Sequence, residues 1–372
     1  LRNILYVRQK DDVFFNSFAK SLDSNQFKIS IFDQKNGLFI DFTNNFSRIL
    51  NHNSKHRILN YIQRYLTGIK FIIINKNNNF DIVHFLNIKR ENFWLLPFFR
   101  KRTKKLILNV YGRSTYTSWV KKNLFRNYYK YFNSIVFTNE EIAKEFLTHY
   151  NHVDRKKIYN LYLPIKQFNK ISYVESFEER QVICKRLGLD ENLIHVVCSS
   201  TVARYDQHPK IIAELKKIVN KDKVELMFLL SYGGTEREKE SIISLINKDL
   251  KEFKTKIFDK FLTEDEIADF RMCSDIYINM RTSDQLAGAI IESLYAGTLL
   301  ISGSWLNYKK LDKLNIFYKK IDSFKHLSTC VDEIVKNFSD LHENYSKKNS
   351  KIIHNEFNFN KIISEWTELY QK

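Results

Sequence analysis

Short apolar runs alternate along this chain with stretches whose apolar residues recur at helical spacing. In the first half the runs Asn3–Val7, Phe27–Phe32, Asp81–Leu86, Lys105–Val110, Ser134–Thr138 and Ile158–Leu163 predict strands. Helical patterns lie between them, among them 13–22 and a basic one at 51–66. After Pro164 comes a polar helix ending at Gly188, and then a second alternating unit. Its predicted strands are Ile194–Cys198, Val224–Leu230, Thr255–Phe258, Asp275–Met280, Leu299–Ser302 and Asn315–Tyr318. Predicted helices cover 208–219, 236–249, 264–272, 286–296 and 324–370. Strands that alternate with helices make parallel sheets, so the expected class is α/β, with two doubly wound domains on either side of a cleft. The expected boundaries are 1–170, a linker helix at 171–192, a second domain at 193–350, and a helix at 351–372 packing back on the first domain.

Charge separates the two halves. Residues 1–170 carry 30 Lys+Arg against 11 Asp+Glu, a net of +19, and residues 171–372 carry 30 against 31, a net of −1; together they give the +18 of the whole chain. An excess confined to one half implies an anionic partner for it: nucleic acid, an anionic leaflet or a pyrophosphate-bearing molecule. No nucleic-acid-binding module is legible. Phe and Tyr are abundant (30 and 20) while Gly and Pro are scarce (9 and 3), which fits packed globular domains and excludes a disordered chain. The four cysteines never form C-x-x-C, which favours a reduced, cytoplasmic setting. No apolar run approaches the ~18–20 residues of a membrane span, and no signal peptide is expected before Ile4.

The candidate chemistry lies in 282–297. Asp284 sits in a turn and Glu292 eight residues later on a helix whose stripe is Leu286, Ile290, Ile291 and Leu294, with Gly297 as its stop. A carboxylate on an apolar helix needs a partner, because burying it unpaired is costly. For Glu292 that partner is either a hydroxyl-rich ligand or a buried cation; Asp284 either meets a ligand or caps the helix. In such sheets the loops at the carboxyl ends of strands gather the ligands. Gly233 and Gly234 open a helix there, as a phosphate seat or as a plain strand-to-helix turn. Arg204, His208 and Lys210 follow the first strand of this unit and could meet a diphosphate.

With these residues the second half resembles the nucleotide-binding domain of GT-B glycosyltransferases, family 4 in particular, and related enzymes of bacterial surface polysaccharide assembly. Asp284-x7-Glu292 with Ala296-Gly297 is similar to that family's E-x7-E helix and its A-x-G ending. Cys273–Ile278 resembles the strand before it, and Leu230–Thr235 resembles a loop of fucosamine-type transferases of lipid-linked sugars. In the first half, Asp81-Ile82-Val83-His84 and Asn109–Ser114 resemble the family's D-x-x-H strand and its Gly-containing loop. The chain departs from the family in three places. The first acid is Asp, Leu299 replaces the usual Pro, and Ser199-Ser200 with His208-Pro209-Lys210 replace the Gly-Arg and Lys-Gly signature.

The resemblance implies two Rossmann-like domains and transfer of a sugar from a nucleotide-sugar donor to a lipid-linked or glycan acceptor, as in O-antigen or capsule synthesis. It implies retention of configuration. It further implies that Glu292 holds the ribose hydroxyls and that Asp284 lies by the transferred sugar. Ala287 and Gly288 would turn backbone N–H groups to the pyrophosphate, and Arg204, His208 and Lys210 would neutralise it with Gly233 and Gly234 nearby. His84 would touch the sugar or act as base, or else be a structural residue. Gly112 and Arg113 would contact acceptor or phosphate. No D-x-D motif ends a strand, so no metal and no cofactor are expected beyond the co-substrate. The cationic-aromatic segments 51–70, 98–105 and 119–126 suit an anionic leaflet, which places the protein at the inner face of a cell membrane. The competing expectation is an inactive relative that keeps the fold as a partner-binding subunit.

Overall fold

A computed structural model describes residues 1–8, 18–19, 21–34, 36–41, 46–48, 57–88, 90–110, 116–165, 167–198, 201–284 and 286–372. The chain divides into two compact units, Leu1–Pro164 with Phe359–Lys372, and Ile165–Asn358. The stretch 171–192, expected as a joining helix, belongs to two helices of the second unit, Gln167–Phe177 and Arg180–Leu187. The second ends where Gly188 takes a left-handed conformation, φ +67°.

The first unit holds an eight-stranded sheet. Its strands are β1 (Arg2–Arg8), β2 (Phe27–Asp33), β3 (Leu38–Ile40), β4 (Phe46–Arg48), β5 (Phe80–Phe85), β6 (Thr103–Val110), β7 (Ser134–Phe137) and β8 (Ile158–Asn160). They run in the order β4-β3-β2-β1-β5-β6-β7-β8. All neighbours pair in parallel except at the β2-β3 and β3-β4 contacts, which are antiparallel. Leu5, Val7, Val83, Phe85, Leu106 and Leu108 enter one apolar core with Phe71, Phe93 and Phe146. Strand parity sends the intervening residues to the other face.

That other face is covered by the helix Phe359–Gln371. Trp366 is fully buried, packs on the rings of Phe18 and His84, and donates its indole N–H to the Tyr162 carbonyl at 2.7 Å. Arg2 and Lys105 donate to the carbonyls of Tyr370 and Leu369, putting cations at the negative end of the helix dipole. Burial, with Arg2 and Lys372 nearby, pushes Lys105 down to about 8.

Of its two alternatives, His84 takes the structural one here. It lies buried beneath Trp366, with Nδ1 2.9 Å from the Tyr370 hydroxyl and Nε2 3.0 Å from Asn109 Oδ1. The hydroxyl of Tyr6 continues the chain to Tyr370 at 3.0 Å. Because Asn109 Oδ1 only accepts, Nε2 carries the proton and Nδ1 accepts from Tyr370. Burial holds the imidazole neutral, down to about 3, with the Asn109 bond only partly offsetting it.

The second unit is a fully parallel six-stranded sheet. Its strands are β9 (Ile194–Cys198), β10 (Val224–Leu229), β11 (Lys254–Phe258), β12 (Ile276–Asn279), β13 (Leu299–Gly303) and β14 (Lys319–Ile321), in the order β11-β10-β9-β12-β13-β14. Every residue of β10, β12 and β13 is buried, as helices on both faces require. The last strand lies later than the expected Asn315–Tyr318, because Asn315 turns the chain at φ +55° after the helix Lys309–Lys313. All four cysteines are free and buried. Among the described residues no helix is long and apolar enough to cross a membrane.

A buried neutral imidazole ties stability to pH. The unfolded ring titrates near 6.5 and the folded one near 3. Its contribution is therefore complete above about pH 6.5 and is lost as pH falls toward 3, at a slope of up to ~1.4 kcal/mol per pH unit. Urea midpoints measured from pH 7 down to 4 should fall less steeply for His84→Asn than for the parent chain; equal slopes would contradict this placement.

Candidate functional site

In the second sheet β9 is the first strand, with β10 on one side and β12 on the other, so the chain's connections leave in opposite directions there. The crevice outside the carboxyl ends of such a strand pair is where an open α/β sheet takes a ligand. The loops that follow β9 and β12 are held together by Arg281. Its Nε donates to Asp206, and its Nη1 to Asp284 Oδ1 at 3.1 Å. Asp206, wholly buried, also receives the Thr201 hydroxyl. Burial disfavours the guanidinium charge, but Tyr277, Asp206 and Asp284 outweigh it and hold Arg281 firmly cationic. Backbone links complete the brace: Thr282 N–H to the Tyr205 carbonyl (3.0 Å), Gln207 Nε2 to the Met280 carbonyl (2.6 Å) and Trp305 Nε1 to the Arg281 carbonyl (2.7 Å).

Asp284, expected beside the transferred sugar, has both oxygens engaged. Oδ1 faces Arg281, and Oδ2 accepts from the Tyr308 hydroxyl at 2.8 Å and the Ala287 N–H at 3.1 Å. It braces the start of the helix Gly288–Tyr295, which is the capping alternative. The Ala287 N–H, expected to face a pyrophosphate, is consumed by that bond. Burial, and then the Asp284 charge, hold the Tyr308 phenol protonated. Leu286, just before the helix, takes φ +61°, a conformation costly for a branched side chain.

Glu292 lies one face inward on that helix and is buried. Its Oε2 accepts from Arg271 Nε at 3.1 Å, so the buried cation of the two sequence alternatives is present. Arg271 comes from the helix Glu264–Met272, and its Nη1 is buried without a hydrogen-bond partner. Glu292 Oε1 points the other way, toward Gly288. Among the described residues a Cβ built on Gly288 would meet only that oxygen, at 3.9 Å, so those residues leave room beside the glycine. Arg271 escaped the sequence reading, although a lone cation among Ile267, Ala268, Phe270 and Met272 is the natural complement of a buried acid. Tyr308 and Asp206 gave no sequence signal. Tyr232 sits at the same mouth: burial raises its phenol, and Arg281 and Arg271 pull it back.

The remaining expected residues fall into three groups. Gly233 and Gly234 are packing glycines. Gly233 has φ +94°, and side chains at the pair would strike Thr201 at 2.9 Å and Val202 at 2.6 Å, where the Val202 N–H bonds the Tyr232 carbonyl. The helix they precede is closed by a Thr235–Glu238 capping box with two acids in its first turn, which disfavours a phosphate seat. The cations are next. Arg204, 88 % exposed, pairs with Glu238 at 2.6 Å, and Lys210 bonds Gln207 Oε1 at 2.9 Å above the Phe324 ring. His208 is buried, with Nε2 2.6 Å from the Thr201 carbonyl and Nδ1 without a partner. Burial lowers it below the ordinary imidazole range despite Thr201 and Asp206. Gly112 and Arg113 lie outside the described residues.

No protein-family model matches the chain, and no curated protein sequence matches it. Solved structures do. A glycosyltransferase from Rickettsia africae is similar over 100 % of this chain and 98 % of its own, with TM-score 0.75 and 17 % identity. The sucrose-phosphate synthase of Thermosynechococcus elongatus gives the same coverage and TM-score at 11 % identity. The Anabaena protein HepE, solved in complex with UDP and glucose, covers 100 % of both chains with TM-score 0.70 and 11 % identity. At such identities the likeness shows the fold: two parallel-sheet Rossmann-like units, as in GT-B glycosyltransferases.

Proposed function

We propose that the chain is a glycosyltransferase that takes its sugar from a nucleotide-sugar donor, and that the donor binds at the carboxyl ends of β9 and β12. The observation that carries this reading is Glu292: a buried carboxylate with one oxygen clamped by Arg271 and the other turned to the gap over Gly288. A carboxylate held in place by a guanidinium beside a gap suits a pair of vicinal hydroxyls, as a ribose offers. The Gly288 N–H, at the start of its helix, is suited to the diphosphate. Structures of like fold supply parallel support, since HepE was solved with UDP and with UDP-glucose. In this reading Arg204 leaves Glu238 for the departing phosphate, and Asp284 positions the helix without touching the donor. Charge stabilisation by side chains and helix end serves the leaving group without a metal ion. We extend the proposal to retention of configuration and to a lipid-linked or glycan acceptor of surface polysaccharide synthesis at the inner face of the membrane. The net +19 of residues 1–170 supports an anionic surface as partner.

A second reading, a partner-binding subunit without activity, is favoured by one observation. Asp284 and Arg204, two of the residues nearest the expected chemistry, are both committed to partners inside the unit. Turnover of any nucleotide sugar by the purified chain would dismiss it.

Thermal unfolding against a panel of nucleotide sugars should single out the donor, since a ligand at ~100 times its dissociation constant adds about 2.7 kcal/mol. Glu292→Gln keeps an acceptor for Arg271 but removes the charge; it should weaken donor affinity at least ~10-fold, or ~1.4 kcal/mol. Calorimetry on samples with native circular dichroism checks this, and unchanged affinity would sink the site. Arg204→Ala should slow turnover at least ~10-fold. Its thermal midpoint should barely move, because so exposed an ion pair contributes ~0–1 kcal/mol; a full rate would remove Arg204 from the mechanism.

A further inference from the structure

We propose that the outward face of the helix Arg57–Ile74 is a membrane-insertion surface that seats its aliphatic side chains at the headgroup–acyl boundary of an anionic bilayer. The helix has two unlike faces. Its inner one carries Thr67, Gly68 and Phe71 against the first unit. A Cβ on Gly68 would strike the Leu95 side chain, so the glycine draws this helix close to the helix Arg90–Arg100 and fixes its rotation. The outer face at the same rotation carries Leu59, Ile62, Leu66 and Ile73, spaced by three, four and seven residues, with Ile74 beside them. These five are exposed to between 46 % (Ile62) and 62 % (Ile73). Four large aliphatic residues on one line of a helix, all turned to water, form a contiguous patch of the kind that marks an interaction site.

The charge of this part of the sequence, with the cations placed on and beside the helix, argues for its occupant. Residues 51–80 contain no Asp or Glu, and residues 51–139 carry 17 Lys+Arg against 2 Asp+Glu. Lys70 lies on the exposed line itself. The basic turn Arg100–Arg102 lies against the helix's C-terminal end, where an Arg102 guanidinium N–H donates to the Ile72 carbonyl at 2.7 Å. A second copy of the chain would bring these cations face to face, which like charges oppose. A bilayer bearing anionic headgroups meets both needs at once, phosphates for the cations and an apolar boundary for Leu and Ile. The inference rests on the proposed lipid-linked acceptor only in saying where that acceptor's membrane lies; insertion itself needs no acceptor.

The four native cysteines are buried, so a Leu66→Cys variant takes an environment-sensitive fluorophore selectively. The label should shift to the blue on phosphatidylglycerol-containing vesicles and stay unshifted on pure phosphatidylcholine. A label at Val219→Cys, exposed in the second unit, should not respond. The double variant Ile62→Glu, Leu66→Glu should float with anionic vesicles at least ~10-fold less, with its thermal midpoint and nucleotide-sugar binding unchanged. A Leu66 label that stays in water on every vesicle, or equal flotation of the double variant, would overturn the proposal. So would lipid-free self-association abolished by Leu66→Glu, which would assign the face to a second copy. Insertion without binding of any nucleotide sugar would retain this surface and discard the transferase reading; the converse result would do the opposite.

Discussion

The second unit depends on one buried guanidinium. Arg281 ties Asp206, from the loop after β9, to Asp284, from the loop after β12, and so closes the point where the sheet's connections diverge. Such an ion pair is weak evidence for net stability, because both charges lose their water. Its value is positional. Asp284, once fixed, receives the Ala287 N–H, and that bond sets where the helix Gly288–Tyr295 starts and which way Glu292 faces. Removing the guanidinium would strand two buried carboxylates together, so the geometry of the whole mouth rides on a single side chain.

Much of this architecture was legible from periodicity. The helices 236–249 and 264–272 begin and end where the pattern places them, and the apolar runs of the second half become the parallel strands β9 to β13. Other features were not. The strands β3 and β4 are three residues each, too short for alternation to register, and they pair with a neighbour rather than with a helix-linked strand. The helix expected from residue 286 begins at Gly288, because Leu286 is in a left-handed conformation that no apolar pattern reveals. His84 shows the limit most plainly. Strand parity says that it opposes Val83 and Phe85, but what covers that face comes from Trp366 and Tyr370, far along the chain.

The candidate site teaches a related lesson about residue types. Glycines at 233, 234 and 288 all stand at the start of a helix, and only their neighbours separate them. The first two make room for Thr201 and Val202, whereas the third, among the described residues, faces only a carboxylate oxygen. The same holds for the two acids. Asp284 is saturated by three donors, while Glu292 shares one oxygen with Arg271 and turns the other away. Spacing singles out both acids; their hydrogen bonds make Asp284 a brace and pair Glu292 with Arg271.

The first unit is discontinuous in sequence: Leu1–Pro164 is completed by Phe359–Lys372, with the whole second unit threaded between. During synthesis the sheet β1–β8 therefore emerges before the helix that completes one of its faces, and Trp366 arrives only after Ile165–Asn358 has been made. The ribosome thus finishes the second unit first, although it begins the first one earlier. Tyr6 and His84 meet Tyr370 and Trp366 only at that late stage, so the last hydrogen bonds of the first unit form after the second unit has been made.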